Sequence, residues 1–165
     1  MRNAEKLLDE LLPLSDRQIS KHFIFLGEGI ARKVYAINDN YVMKVSKGID
    51  GYFQNNVENY VYNTVDEDLL KYLCPILAFN SRILIMKRAI PLSKRVLTKR
   101  INLNSVRKEK NALDDLTYLT RKYFLYYNDI VSVSSWGQIN NVNVLIDYGC
   151  TNEVGDYYYS NLFKT

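Results

Sequence analysis

Two side chains of opposite charge stand out in an otherwise apolar pattern. Lys44 lies in the segment Tyr-Val-Met-Lys-Val, which alternates like a β-strand. An ammonium group that faces the interior from such a strand costs free energy unless an anion meets it. Glu58 follows 14 residues later on the flank of a helical stripe, so we predict that it meets Lys44 where a helix packs on a sheet. The alternative is a strand lysine that faces solvent.

Two aspartates near the other end of the chain could hold a cation or orient a reactant. Asp147 follows the strand-like segment Val-Asn-Val-Leu-Ile and precedes Tyr148-Gly149, which places a carboxylate at a strand end where a cation could bind. Asp129 comes 18 residues earlier and is predicted to end a long helix. The helix dipole disfavours a carboxylate at that end, so a purely structural role explains Asp129 less well.

A pair of glycines separates the first two predicted strands. In the segment Gly27-Glu28-Gly29, small residues would let backbone amides approach a phosphate closely. A simple hairpin turn explains the same pair without a ligand.

The composition limits the chemistry and the class of protein. The chain has 165 residues, a net charge of +4 and 47% hydrophobic residues, which is typical of one folded domain, with room for two small lobes. His22 is the only histidine, and Cys74 and Cys150 are far apart, so zinc clusters and nucleophile–His–acid triads lack their parts. No signal sequence or apolar run of about 18–20 residues is present, so we expect a reduced cytoplasmic protein and no membrane association.

Periodicity predicts the elements that would position these groups. Helices are predicted over residues 3–12, from Ser15 onward, over 52–65 and within 104–127. Strands are predicted in the segments HFIFLGEG, KVYAI, YVMKV, ILAF and RILIMKR, and a late hairpin in INNVNVLIDYG. This order favours an α+β protein in which a five-stranded antiparallel sheet with one packed helix precedes a largely helical half.

Taken in order, these pieces resemble the protein-kinase-like family over residues 23–151. The segment GEGIARKVY is similar to its phosphate loop, Lys44 to its third-strand lysine and Glu58 to the helix partner of that lysine. Ile-Asp-Tyr-Gly resembles its metal-binding Asp-Phe-Gly, and ILIMKRAIPL its fifth strand and hinge. The resemblance implies an N-lobe over residues 1–88, with an N-terminal helical extension, and a reduced helical C-lobe over 89–165 that carries the metal-aspartate hairpin.

The same resemblance implies ATP and Mg²⁺ as cofactors and assigns the roles. Lys44 would neutralise phosphate oxygens and be held by Glu58, and Asp129 would orient the attacking hydroxyl. The nucleotide would further contact the glycines of the loop and the segment after the fifth strand, namely Gly27, Gly29, Met86, Lys87 and Arg88. Asp147 would bind the metal, with Ser134 at the family's second metal position.

Several residues depart from the family's pattern. Arg32 stands where the third glycine of the loop would be, which predicts a less open phosphate cradle or a basic side chain laid over it. Tyr127-Asn128-Asp129 replaces His-Arg-Asp, and Ser134, or Ser135 with a shift of one residue, replaces the metal-binding asparagine. Only 16 residues follow Gly149, so we expect the usual peptide-docking platform to be missing.

Charge is distributed unevenly along the chain. Residues 87–110 hold nine Lys and Arg and one acid, a local charge of +8 that leaves −4 for the remainder. Such a segment could dock an acidic protein surface or a phosphate backbone, or be an ordinary solvated face. Aromatic residues do not interleave with it, which disfavours a platform for stacked nucleic-acid bases.

Three functions therefore stay open. The first is an ATP- and magnesium-dependent phosphotransferase that resembles a minimal protein kinase and phosphorylates protein hydroxyls. The second is a pseudokinase that acts as a protein-binding or inhibitory module, and the third is a basic domain that binds nucleic acid or acidic proteins. The chain's size suggests a phage, effector or accessory protein.

Overall fold

Two helices begin the part of the chain described by a computed structural model, residues 4–164. Helix α1 spans Ala4–Leu11 and α2 spans Asp16–His22, as the leucine spacing and the Ser15 start predicted. Ser15 caps α2, because its side chain accepts from the Gln18 amide while the Gln18 side chain accepts from the Ser15 amide. The predicted start of α1 at residue 3 lies outside the described residues.

A five-stranded antiparallel sheet follows, and it confirms the predicted α+β class. Its order is β1-β2-β3-β5-β4. The strands are β1 Ile24–Glu28, β2 Arg32–Ala36, β3 Tyr41–Ser46, β4 Ile76–Phe79 and β5 Ile83–Lys87. Between β3 and β4 lie helix α3, Ile49–Thr64, and the short helix α4, Glu67–Leu70.

The chain divides into two compact units. Of the described residues, one unit comprises 4–59 together with Pro75–Arg88, and the other comprises Tyr60–Cys74 and residues 89–164. Within residues 4–164, no helix combines the length and the apolar character needed to cross a membrane.

Helices α1 and α2 contribute to the hydrophobic core of the first unit. Leu8, Leu11 and Ile19 are buried against sheet residues of one face, among them Met43 and Ile85. The leucine stripe of α1 must be removed from water, and alternate strand residues offer it an apolar face. The predicted N-terminal extension is therefore part of this unit's core, and α3 is not the only helix packed on the sheet.

The opposite face of the sheet carries Arg32 of β2 and both Lys44 and Ser46 of β3. Arg32 pairs with Ser46 across the two strands, and Lys44 lies on the same face two residues before Ser46. Helix α3 approaches this face closely at Gly51, where an added Cβ would lie 2.5 Å from the Ala31 oxygen and 2.6 Å from the Ser46 Cβ. Only glycine fits at this contact.

Substituting Gly51 by alanine is expected to lower the free energy of unfolding by about 1–3 kcal/mol, because the new methyl group would push α3 off a backbone carbonyl. Equilibrium urea unfolding measures the change. Gly48→Ala is the matched control, since a Cβ at Gly48 meets nothing within 4 Å. Equal effects of the two substitutions would contradict the close contact at Gly51.

The second unit contains a small sheet that includes the predicted late hairpin. Strand β6 spans Ile90–Pro91, and the hairpin strands are β7 Trp136–Ile139 and β8 Val142–Leu145. Asn140 and Asn141 form the turn with φ of 49° and 64°. Asparagine tolerates this left-handed conformation, which two-residue hairpin turns require.

The second unit also contains α4, the helices α5 Ala112–Lys122, α6 Tyr127–Ile130 and α7 Glu153–Leu162, and two short 3₁₀ helices, Leu92–Lys94 and Val133–Ser135. The predicted helix within residues 104–127 is wrong in extent at both ends: α5 begins only at Ala112, and Phe124 adopts a positive φ of 52° and breaks the helix after Lys122. Asp129 therefore belongs to the separate helix α6, and the argument from a long helix's dipole does not apply to it. Helix α7 has no counterpart among the predicted elements.

Candidate functional site

An ion pair connects the sheet to α3 in the first unit. The Lys44 ammonium lies 2.7 Å from Glu58 Oε1 and 3.0 Å from Oε2. Lys44 is 5% exposed and Glu58 is fully buried. The contact that the sequence predicted is therefore present, and the solvent-facing alternative for Lys44 is wrong.

Arg32 binds the same carboxylate. Its Nη1 lies 2.9 Å from Glu58 Oε2 and its Nη2 lies 3.0 Å from Oε1, which is a two-point guanidinium–carboxylate contact. The side chain extends from β2 and is 5% exposed. Arg32 is thus a buried partner of Glu58, a role that the comparison with a glycine-rich loop did not suggest.

Asn55 completes the cluster and was missed by sequence analysis. Its Oδ1 accepts from Arg32 Nη1 at 3.1 Å, and its Nδ2 donates to the Ser81 carbonyl at 2.9 Å. Asn55 and Glu58 are three residues apart, so α3 places them on one face. The signal available in the sequence was two polar residues on one face of this helix, opposite a strand lysine and a strand arginine.

The glycine turn between β1 and β2 is fixed to the end of β3. Gly27 precedes the turn, at a register shift within β1, and has φ of 153°, a conformation that other residues rarely adopt. The Lys47 ammonium donates to the Gly29 carbonyl at 2.7 Å and pairs with Glu28 at 2.6 Å. The hydrogen bond and the charge of Lys47 hold the pKa of Glu28 below its ordinary value. The turn is therefore held by side chains of its own unit.

The segment predicted to contact a purine lies at the end of β5. Met86 is 1% exposed and pairs with Val42, which places it on the sheet face of Lys44. The amide of Lys87 donates to the Pro75 carbonyl at 2.9 Å, and the amide of Arg88 donates to the Asn40 carbonyl at 2.7 Å. These two amides already bind protein carbonyls, so a purine contact at Lys87 or Arg88 would use carbonyl oxygens.

The two aspartates lie in the second unit on neighbouring segments of the fold. Asp129 is in α6, and Asp147 follows β8, with its amide 3.3 Å from the Ser135 carbonyl. Both aspartates are partly buried. The Trp136 indole donates to the Ile130 carbonyl at 2.8 Å and is fully buried. Trp136 thereby joins the helix of Asp129 to the hairpin that precedes Asp147.

The residues predicted to bind magnesium, Asp147 and Ser134, supply few oxygen ligands. Ser134 is exposed, and its Oγ lies 2.8 Å from Ser132 Oγ. Residues 4–164 contain no group of three or more His, Cys, Asp or Glu side chains that could hold a metal ion. Magnesium is commonly held by one or two carboxylates together with nucleotide phosphates and water. The chemistry of Asp147 fits that kind of site, in which the phosphates supply further ligands.

The basic segment 87–110 contains one partly buried arginine with several partners, Arg107, and a set of exposed lysines. Arg107 donates to the carbonyls of Lys71 and Asn143 at 2.6 and 2.8 Å, stacks over Tyr72 and pairs with Glu109. The hydrogen bond from Arg107 lowers the pKa of Glu109 to about 2. The following lysines are exposed and form no ion pair within the part of the chain that the structure describes: Lys94, Lys99, Lys108 and Lys110.

No protein-family model and no curated protein matches the chain. Among solved structures, it is similar to the streptomycin–ATP–APH(2'')-IIa ternary complex, with 19% sequence identity and a TM-score of 0.38. The match covers 61% of this chain and 30% of that chain.

Proposed function

We propose that the chain is an ATP- and magnesium-dependent phosphotransferase of the protein-kinase-like type that phosphorylates protein hydroxyl groups. The observation that carries the proposal is the buried ion pair between Lys44 and Glu58, 2.7 Å apart on the sheet and α3. Burial of a lysine is costly, and a carboxylate that fixes its ammonium in one place prepares it for a phosphate group. The glycine turn before Arg32 connects β1 to β2, the strand next to the Lys44 strand β3.

The residues of the first unit would bind the nucleotide. Lys44 would neutralise phosphate oxygens of ATP while Glu58 keeps its ammonium in position. Gly27 and Gly29 would let backbone amides approach the phosphates, and the carbonyl oxygens near Met86 would accept from the purine amino group. Such a site works by positioning and charge stabilisation rather than by a covalent intermediate.

The residues of the second unit would handle the acceptor and the metal. Asp129 would accept a hydrogen bond from the acceptor hydroxyl and orient it for attack. Asp147 would hold magnesium, with Ser134 as a weaker neutral ligand. When bound, magnesium would offset the negative charge of the phosphates.

Binding of Mg-ATP is expected to raise the melting temperature of the wild-type chain. At a ligand concentration of about 100 times Kd, the native state gains about 2.7 kcal/mol. Lys44→Met should remove the shift, and Asp147→Asn should remove its magnesium-dependent part. Lys122→Met is the matched control, since Lys122 is an exposed lysine paired with Asp66. The absence of any response of the wild type to ATP, with and without magnesium, would refute the proposal.

Transfer is measured separately with ATP labelled in the γ-phosphate. We expect label on a protein acceptor with the wild type and none with Asp129→Asn or Lys44→Met, while circular dichroism shows that both variants fold. Labelling that persists in both variants would assign the activity to other residues or to a contaminant.

A pseudokinase is the second candidate. It is favoured by the replacement of His-Arg-Asp by Tyr127-Asn128-Asp129 and by the Ser132–Ser134 hydroxyl contact where the family has a metal-binding asparagine. In that case Mg-ATP would shift the melting temperature without transfer. The exposed lysines of 87–110 would then dock an acidic protein partner.

If salt-sensitive binding to nucleic acid is found without any response to ATP, the chain is instead the basic nucleic-acid-binding domain that the sequence left open as its third function.

A further inference from the structure

We propose that Arg32 is a positioning residue, whose guanidinium holds the Glu58 carboxylate in the place where it meets Lys44. The inference rests on the proposed function, in which Lys44 binds the phosphates of ATP. It adds Arg32 to the residues that position the Lys44–Glu58 pair, whereas the kinase-like resemblance assigned Arg32 to the phosphate loop.

The geometry joins three elements through one carboxylate. Arg32 reaches Glu58 from β2, and Lys44 reaches it from β3, while Glu58 itself belongs to α3. Both carboxylate oxygens accept from both cations, at 2.7–3.0 Å. All three side chains are more than nine-tenths buried. Movement of α3 away from the sheet would therefore break the contacts of Arg32 and of Lys44 together.

The two cations contribute differently to the position of Glu58. Lysine is a point charge on a flexible stem, whereas the planar guanidinium fixes both the place and the plane of a carboxylate. Asn55 orients Arg32 in turn, since it accepts from Nη1 and donates to the Ser81 carbonyl. The hydrogen bonds that link Ser81 to Asn55, Asn55 to Arg32 and Arg32 to Glu58 thus fix the position of the carboxylate to which Lys44 binds.

The test compares the affinity for Mg-ATP of Arg32→Met, Arg32→Lys and the wild type by titration calorimetry. We expect Arg32→Met to weaken binding about tenfold and Arg32→Lys to weaken it less, because lysine retains the charge but not the two-point contact. In a Glu58→Gln background, Arg32→Met should have little further effect, since Arg32 acts through Glu58.

Arg82→Met is the matched control for loss of a structural arginine in the same unit. Arg82 bonds the carbonyls of Leu12 and Leu14 and pairs with Asp16. It should lower stability but leave the affinity for Mg-ATP unchanged. If Arg32→Met also leaves the affinity unchanged, or if its full effect persists in the Glu58→Gln background, Arg32 is not a positioning residue.

Amide hydrogen exchange separates failure of this inference from failure of the proposed function. Without any nucleotide, Arg32→Met should speed exchange of the α3 amides around Glu58 more than Arg82→Met does. If the wild type does not respond to ATP but the two variants differ in exchange in this way, the phosphotransferase is refuted and Arg32 is retained as the residue that fixes Glu58. Equal exchange in the two variants would refute the role of Arg32 whether or not ATP binds.

Discussion

Glu58→Ala is expected to lower the free energy of unfolding by about 3–5 kcal/mol, because two buried cations lose their shared carboxylate. Arg32 and Lys44 are each 5% exposed, so water cannot readily replace the lost oxygens. Urea unfolding followed by circular dichroism measures the change. Removal of Lys44 alone, as in Lys44→Met, should cost less, since Glu58 keeps its two-point contact with Arg32.

Glu58→Gln separates the charge of Glu58 from its packing. It keeps the volume and one acceptor oxygen but removes the charge, so its free energy of unfolding should lie between those of the wild type and Glu58→Ala. As a control, Glu28→Gln removes an exposed carboxylate that is paired with Lys47, and it should destabilise the protein much less than either Glu58 substitution does. A small effect of both Glu58 variants would mean that the buried ion pairs add little to stability.

Trp136→Ala is expected to destabilise the second unit by about 3–5 kcal/mol. The side chain is fully buried, and its indole N–H donates to the Ile130 carbonyl at 2.8 Å. Alanine would leave a cavity and a buried carbonyl without this donor. Because the indole joins α6 to the hairpin, we expect the segments that carry Asp129 and Asp147 to lose their fixed positions. Circular dichroism during urea unfolding reports the loss of stability.

Trp136→Phe keeps most of the ring volume but not the donor, and should cost about 1–3 kcal/mol. Tyr157→Ala is a surface control on α7, since Tyr157 is 77% exposed, and should change stability by less than about 0.5 kcal/mol. If Trp136→Ala behaved like Tyr157→Ala, the indole would not support the hairpin.

Local patterns predicted most of the first unit. The alternation of apolar residues located the five strands, and the turn residues located their connections, because both signals depend on neighbours in the chain. The Lys44–Glu58 contact was also predicted, since a lysine in an apolar strand requires an anion. The roles of Asp129, Asp147 and Ser134 stay predictions, to be tested by the substitutions above.

The sequence also misled at identifiable places. The apolar pattern continued through Phe124, but the positive φ of that residue ends α5 earlier, and periodicity does not report a single backbone angle. Arg32 was assigned to the phosphate loop by its place after two glycines. Its strand register places it instead on the face of Lys44.

By itself, the sequence determined which residues alternate and where the turns lie, because these properties follow from chain neighbours. It also predicted a negative partner for Lys44 if that side chain faces the interior, because a buried charge is costly. Only the tertiary structure decided that Glu58 serves two cations, that Asn55 orients one of them and that α1 and α2 cover the other face of the sheet. Those contacts join residues distant in the chain, and the packing of α3 on the strands selects them.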